Sequence, residues 1–231
     1  MKKNKTPITV ETGPLQIFGY DVIEELIEFY TSYDNEKDYV LIDESFRKVY
    51  KEIADKNIII YPGSFNPITT AHKYMISSIK SNKYIFPLPS QLIVEISICR
   101  DEKSDYSLPE LMNIINQFYG LGVRLLITKK SLIHEKIKII KSIWKYKNIR
   151  ILCGLDTAER ILDYYKDLTD WKTSFIINPR KTSRYSIRDS IENECNNLLN
   201  FFPEETIILP YVEGIVNISS TTIRKNSKTG M

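Results

Sequence analysis

Residues 63–72 gather side chains that could bind a phosphate at the start of a helix. They read GSFNPITTAH and follow a short apolar run, residues 58–61, that is typical of a buried strand. The N–H groups of a first helical turn bind anions, and two threonine hydroxyls and the imidazole of His72 stand beside them here. The stretch is neither a P-loop nor a GxGxxG motif, because it has a single glycine and lacks Gly-Lys-Ser/Thr. Taken alone, His72 would more often be a structural hydrogen-bonding group than a functional one.

A second group of hydroxyl side chains lies near the C-terminus, in the sequence ISSTTIRK of residues 218–225. Ser219 and Ser220 come just before a short predicted helix, where serines commonly cap the N-terminus. Capping and phosphate binding use the same geometry, and Thr221 and Arg224 add a hydroxyl and a forked cation. The segment is therefore either a plain helix cap or a second phosphate-binding element.

Together the two stretches resemble the two signatures of the nucleotidylyltransferase superfamily. The first signature is roughly G-G/S-F-D/N-P-x-H/T-x-G-H, and residues 63–72 match it with Thr69 at the first histidine and Ala71 at the glycine. The second signature, I-S-S-T-x-I/V-R, is matched by residues 218–224. The methyl group of Ala71 would stand where the family's backbone passes close to the nucleotide.

This resemblance implies roles for the residues of both signatures. His72 would contact the triphosphate of ATP and stabilise the charge of the departing pyrophosphate, and Thr69 would donate its hydroxyl to a phosphate. Asn66 would contact the acceptor substrate, whereas Thr70 is expected to be an exposed residue at the helix start. The resemblance also assigns a catalytic role to Arg224. The other residues that it assigns to ATP binding are Gly63, Ser64, Phe65, Ser219, Ser220, Thr221 and Arg224.

A third stretch, ILCGLDTAER at residues 151–160, places Gly154 and Asp156 where a predicted strand meets a helix. It resembles the GxD element of the nicotinamide and nicotinate mononucleotide adenylyltransferases, which holds the adenosine ribose hydroxyls. A carboxylate only accepts hydrogen bonds and so suits a vicinal diol, although Asp156 could instead cap the helix. By the same resemblance Trp171 would stack on a nicotinamide ring, with a buried core tryptophan as the alternative, and Arg180 would lie near the nucleotide.

Residues 94–108 resemble a subgroup of adenylyltransferase-like proteins that read F-E-L-S-x-x-N-x-D-K. Glu95, Ser97 and Lys103 match this pattern, whereas an arginine and a glutamate stand at its asparagine and aspartate. Lys103 would reach a substrate phosphate in such a protein. The alternative is an ordinary surface lysine.

The reaction implied by the resemblance joins the AMP moiety of ATP to nicotinamide or nicotinate mononucleotide and releases pyrophosphate. The attacking phosphate is already an anion, so alignment and charge neutralisation suffice without a general base. Mg²⁺ would be held by ATP and water, and no protein metal site is expected. The alternatives are another phosphate-bearing acceptor such as a phosphopantetheine, CTP as the donor, or a nucleotide-binding regulatory protein that has lost transfer activity.

Composition excludes several other classes of protein. A net charge of +3 over 231 residues gives no argument for nucleic acid. Three widely spaced cysteines and two histidines argue against structural zinc and for a reducing compartment. No signal peptide or membrane-length apolar run is present. We therefore expect a soluble cytoplasmic protein without nucleic-acid or membrane partners, and we leave homo-oligomerisation open.

The elements that must position these residues alternate between strand and helix from residue 57 onward. This alternation predicts an α/β fold with a doubly wound parallel sheet, in which ligands bind beyond the carboxyl ends of the strands. We predict a nucleotidylyltransferase domain at residues 56–231, preceded by a helical extension of unknown role at residues 1–55. Within that extension, periodicity predicts helices at residues 21–30 and 46–53.

Overall fold

The computed structural model describes residues 18–32, 38–49, 57–81, 90–99, 105–144, 148–164, 173–179, 188–203 and 205–212. Within these residues the helices and strands follow in the order α1 (Tyr20–Thr31), β1 (Tyr39–Ile42), β2 (Asn57–Pro62), α2 (Thr70–Ser81), β3 (Ser90–Ser97), α3 (Leu108–Asn116), β4 (Arg124–Thr128), α4 (Ile133–Ile143), β5 (Ile149–Gly154), α5 (Leu155–Tyr164), β6 (Ser174–Asn178), α6 (Arg188–Leu199) and β7 (Ile207–Ile208). In this part of the chain no helix combines the length and the apolar character needed to cross a membrane.

All seven strands form one sheet with the order β1-β4-β3-β2-β5-β6-β7. From β2 the chain moves outward to β3 and β4, and it then returns to place β5, β6 and β7 on the other side of β2. Every neighbouring pair is parallel except β1 and β4. The predicted α/β fold with a doubly wound, largely parallel sheet is confirmed, and its switch point lies between β2 and β5.

Parallel strands covered by helices on both faces explain the unbroken apolar runs of the sequence. In β2, Ile59 and Tyr61 join one core cluster, with α1, α2 and α3, whereas Ile58 and Ile60 join the other, with α4, α5 and α6. Successive side chains of a strand point to opposite faces, so each residue of this run is buried on one side or the other.

The N-terminal extension adds an edge strand to the sheet. Its β1 pairs antiparallel with β4, and the helix predicted at residues 21–30 is confirmed as α1, which buries Val22, Leu26 and Phe29 completely. The predicted division between an extension and a domain at residues 55 and 56 stays a prediction.

The second helix predicted in the extension, at residues 46–53, is wrong for its described part, residues 46–49. The carboxylate of Asp43 accepts the N–H groups of Ser45 and Arg47 at 2.8 and 2.9 Å, which closes a turn in place of a helix. After this turn Lys48 bridges antiparallel to Ile42. The local side-chain hydrogen bonds therefore override the apolar periodicity.

A buried ion pair ties α4 to the centre of the sheet. Glu95 of β3 is fully buried, and its carboxylate accepts a hydrogen bond from Nζ of Lys136 at 3.0 Å and from Oγ1 of Thr128 at 2.6 Å. Charges at this depth are tolerated because they are paired and hydrogen-bonded. The carbonyl oxygen of Glu95 also accepts the N–H of Gly63 at 3.1 Å, so the strand that carries this pair also holds the first residue after β2.

Candidate active site

Two loops leave the sheet side by side at the switch point. Ile60 of β2 is paired with Ile151 of β5, and Gly63 and Gly154 each follow three residues later. The loop of residues 63–69 therefore begins next to the point where β5 passes directly into α5. Ligands of doubly wound folds bind in the crevice at this position.

The loop of residues 63–69 turns over the buried ring of Phe65. This residue is fully buried with φ of +45°, and its ring contacts Tyr61, His72 and Phe118 edge-on at centroid distances of 5.1, 5.0 and 5.2 Å. A Cβ atom at Gly63 would lie 2.7 Å from the same ring, so any other residue there would force the packed ring to shift. The aromatic cluster thus fixes the course of the loop and one face of the His72 imidazole.

Residues around α3 hold the loop from the other side. Gln117, which follows α3, accepts the N–H of Ile68 through Oε1 at 2.8 Å and donates from Nε2 to the carbonyl of Asn113 at 3.2 Å. The hydroxyl of Tyr106 donates to the carbonyl of Ser64 at 3.1 Å. Sequence reasoning missed both supports, because nothing in the spacing of Tyr106 or Gln117 links them to a loop some 40 to 50 residues earlier.

Thr69 and His72 cap the first turn of α2 reciprocally. The N–H of His72 donates to Oγ1 of Thr69 at 3.3 Å, and the N–H of Thr69 donates to Nδ1 of His72 at 2.9 Å. This is the pattern of a capping box, with an imidazole in the place of the usual glutamate or glutamine. The Thr69 hydroxyl also lies 3.0 Å from Nδ1.

These contacts assign the proton of the imidazole. A backbone N–H can only donate, so Nδ1 of His72 must accept, and the proton of the neutral ring sits on Nε2. The imidazole is therefore set up as a hydrogen-bond donor. Thr69 is only 2% exposed, which makes its contacts those of a buried cap. Its predicted donation of a hydroxyl to a phosphate stays a prediction.

The residues that follow Thr69 lie in the first turn of α2. Thr70 is exposed, as predicted. Ala71, at the glycine position of the first signature, is 5% exposed, so its methyl group packs inside the protein rather than on the surface of the loop. A ligand that approaches from solvent meets other atoms of this turn first.

The remaining described site residues lie along the same edge of the sheet. Ser64 is exposed and Asn66 is half-buried, with a cis peptide bond between Asn66 and Pro67. Asp156 is half-buried in the first turn of α5. The predicted site residues outside the described part of the chain are Lys103, Trp171, Arg180, Ser219, Ser220, Thr221 and Arg224.

Cys99, which follows β3, has an environment unsuited to a nucleophile. Partial burial raises the pKa of its thiol above the ordinary value and Asp105 raises it further, whereas Lys129 and Lys130 lower it by less. The thiol is therefore protonated at neutral pH, and covalent catalysis would need a thiolate.

The chain matches no protein-family model, and no curated protein matches it. Among solved structures it is similar to the nicotinic acid mononucleotide adenylyltransferase of Plasmodium falciparum complexed with NaAD. The two are 26% identical, the match covers 74% of this chain and 83% of that chain, and the TM-score is 0.51. The predicted resemblance to the nucleotidylyltransferases is confirmed. A second structure of the Plasmodium protein, complexed with APC, matches at 24% identity and a TM-score of 0.48 over the same shares of both chains.

In this nucleotidylyltransferase-like fold, the stretch that resembles the first signature occupies the β2–α2 loop, beside the switch point. Its histidine is the residue whose Nδ1 is held by the backbone of Thr69. The Gly154–Asp156 stretch starts from the adjacent strand. The described residues therefore bring two of the predicted binding stretches, residues 63–72 and 151–160, together at one edge of the sheet.

Proposed function

We propose that this protein is an adenylyltransferase that joins the AMP moiety of ATP to nicotinate or nicotinamide mononucleotide. The observation that carries the proposal is the Thr69–His72 cap, which presents a donor imidazole at the N-terminus of α2, at the switch point. The likeness to the Plasmodium enzyme supports the choice of acceptor, because that enzyme was solved with NaAD.

In the proposed reaction an oxygen of the mononucleotide phosphate attacks the α-phosphorus of ATP. A new P–O bond forms, the bond to the β-phosphate oxygen breaks, and pyrophosphate leaves with the electron pair. The attacking oxygen is already ionised at neutral pH, so no proton has to be removed from it. Catalysis then depends on alignment and on donors aimed at the developing charge.

The N-terminus of α2 supplies such donors. Its first-turn N–H groups and the positive end of its dipole favour an anion. The neutral imidazole of His72 adds Nε2–H, which we propose donates to a non-bridging oxygen of ATP. Because Nδ1 already accepts the N–H of Thr69, His72 acts as a donor and not as a general base. Thr69 then contributes as a positioning residue.

The other assignments are part of the same proposal. Gly154 lets the chain approach the adenosine ribose, and Asp156 accepts from its hydroxyls. The residues proposed for the remaining ATP contacts are Gly63, Ser64, Phe65, Ser219, Ser220, Thr221 and Arg224, and those proposed for the acceptor are Asn66, Lys103, Trp171 and Arg180.

We propose that Mg²⁺ enters with ATP. The loop presents N–H, hydroxyl and imidazole N–H donors, which suit phosphate oxygens rather than a cation, and the described residues contain no group of three or more His, Cys, Asp or Glu that could hold a metal. Mg²⁺ bound to phosphates and water needs no such group. When bound, it neutralises charge on the polyphosphate.

A panel of donors and acceptors tests this assignment. Purified protein is incubated with Mg-ATP or Mg-CTP and with nicotinate mononucleotide, nicotinamide mononucleotide or phosphopantetheine, and pyrophosphate release is followed. We expect release with ATP and a pyridine mononucleotide. Release only with phosphopantetheine or only with CTP would replace the proposed substrate. Binding of ATP without release for any acceptor would favour a regulatory nucleotide-binding protein.

A further inference from the structure

Asn178 ends β6 at the same edge of the sheet as the candidate active site. In the β5–β6 pairing it stands opposite Gly154, the residue from which β5 passes into α5. Gly63 lies level with Gly154 on the other side, so Asn178 is two strand spacings, about 10 Å, from the start of the β2–α2 loop. No signature assigns this residue a role.

The side chain of Asn178 points to the face of the sheet that carries α2. Side chains two residues apart on a strand share a face, and Ile176 packs in the core cluster that contains Tyr61, Phe65 and Met75. Asn178 therefore lies on the same face of the sheet as the ring of Phe65 and helix α2.

The carboxamide of Asn178 is buried without being satisfied. The residue is 2% exposed, and its Nδ2 has no hydrogen-bond partner among the described residues. Burying an amide without a partner costs free energy, and native proteins keep very few such groups. A residue chosen for stability alone would be apolar at this position, as the preceding residues of β6 are from Phe175 to Ile177.

We infer that Asn178 binds the adenine base of the nucleotide donor, an inference that rests on the proposed function. A carboxamide carries a donor and an acceptor side by side, and adenine offers a ring-nitrogen acceptor next to its amino donor. A nucleotide with its phosphates at α2 and its ribose at Asp156 would extend its base across the edge of β5 toward β6.

The variant Asn178→Leu separates this role from a structural one. Leucine has a similar size and no polar atoms, so we expect an equal or higher melting temperature. The Kd for Mg-ATP, measured by calorimetry, should rise about 10- to 100-fold, the range for a bidentate contact to a base. The wild type should bind ATP more tightly than purine riboside triphosphate, which lacks the amino group, and Asn178→Leu should lose that preference.

The matched control is Asn57→Leu. It changes an asparagine at the start of β2, the opposite end of the strand from the site, and should leave the Kd for ATP unaltered.

The outcomes separate this inference from the proposed function. If the wild type binds ATP through Asn178 but forms no dinucleotide, the base contact stands and the proposed reaction fails. If Asn178→Leu binds ATP as tightly as the wild type, or keeps the preference for ATP over purine riboside triphosphate, the inference is overturned. A wild type that binds no ATP, or that binds both triphosphates equally, overturns it as well.

Discussion

The backbone N–H of Thr69 lies 2.9 Å from Nδ1 of His72, and each residue caps the other at the start of α2. The turn that ends the loop therefore also orients the imidazole. This coupling assigns the ring proton to Nε2 and makes the histidine a donor toward an incoming anion. A threonine in place of the first histidine of the signature thus has a definite structural role.

Removing the Thr69 hydroxyl should weaken both the cap and the orientation of His72. We predict that Thr69→Val lowers the free energy of unfolding by about 1 kcal/mol, the usual cost of losing an N-cap. It should lower kcat about tenfold, because the imidazole loses the contact of its Nδ1 with the Thr69 hydroxyl. Denaturant unfolding and steady-state rates measure the two effects. Thr69→Ser, which keeps the hydroxyl, should behave like the wild type, and a fully active Thr69→Val would show that the hydroxyl does not position His72.

Replacing His72 by glutamine should separate stability from catalysis. Glutamine three residues after a threonine N-cap completes an ordinary capping box, so we expect His72→Gln to unfold at nearly the wild-type temperature. The Nε2–H donor of the imidazole is lost from its place, and kcat should fall about 100- to 1000-fold, as for loss of one donor to a developing charge. Wild-type turnover in this variant would refute the assigned site.

Restoring the glycine of the signature should affect stability more than activity. Ala71 is 5% exposed in the first turn of α2. We predict that Ala71→Gly lowers the free energy of unfolding by about 1 to 2 kcal/mol, through lost methyl burial and greater backbone freedom. The rate at saturating ATP should be equal or higher. A large loss of rate in a folded variant would show that the loop depends on the methyl group.

Gln117 should position the loop from a distance. Gln117→Leu leaves the N–H of Ile68 without its acceptor, and we predict a loss of about 1 to 2 kcal/mol in stability. The rate kcat should fall about tenfold, while the KM for the mononucleotide changes little. Asn113→Ala is the matched control, because it removes an exposed side chain one turn earlier on α3 and leaves the carbonyl that Gln117 contacts. Equal losses in both variants would mean that α3 is merely destabilised.

Short-range sequence patterns predicted the strands, helices and loops that depend on neighbouring residues. The apolar run at residues 58–61 and the prolines and glycine after it placed β2 and its loop, because buried parallel strands carry continuous apolar runs. The sequence did not predict the reciprocal cap between Thr69 and His72. A threonine three residues before a histidine is not an ordinary capping box. The resemblance to the first signature instead predicted that Thr69 contacts a phosphate directly.

Contacts between distant residues were beyond the reach of such patterns. The pairing of β1 with β4 joins Tyr39 to Thr128, and the Ile68–Gln117 hydrogen bond spans 49 residues. The helix predicted from residue 46 failed because Asp43 closes a turn just before it. Asn178 carries no motif at all, and only its burial without a hydrogen-bond partner draws attention to it.

Formation of a dinucleotide decides whether the β2–α2 loop belongs to a transfer site. Purified protein is mixed with Mg-ATP and nicotinate or nicotinamide mononucleotide, and pyrophosphate and dinucleotide are quantified together over time. We predict that the wild type forms the two products in equal amounts with at least one of the mononucleotides, and that His72→Gln forms neither at a comparable rate. A folded wild type that binds ATP and forms no dinucleotide from either mononucleotide would contradict the proposed function.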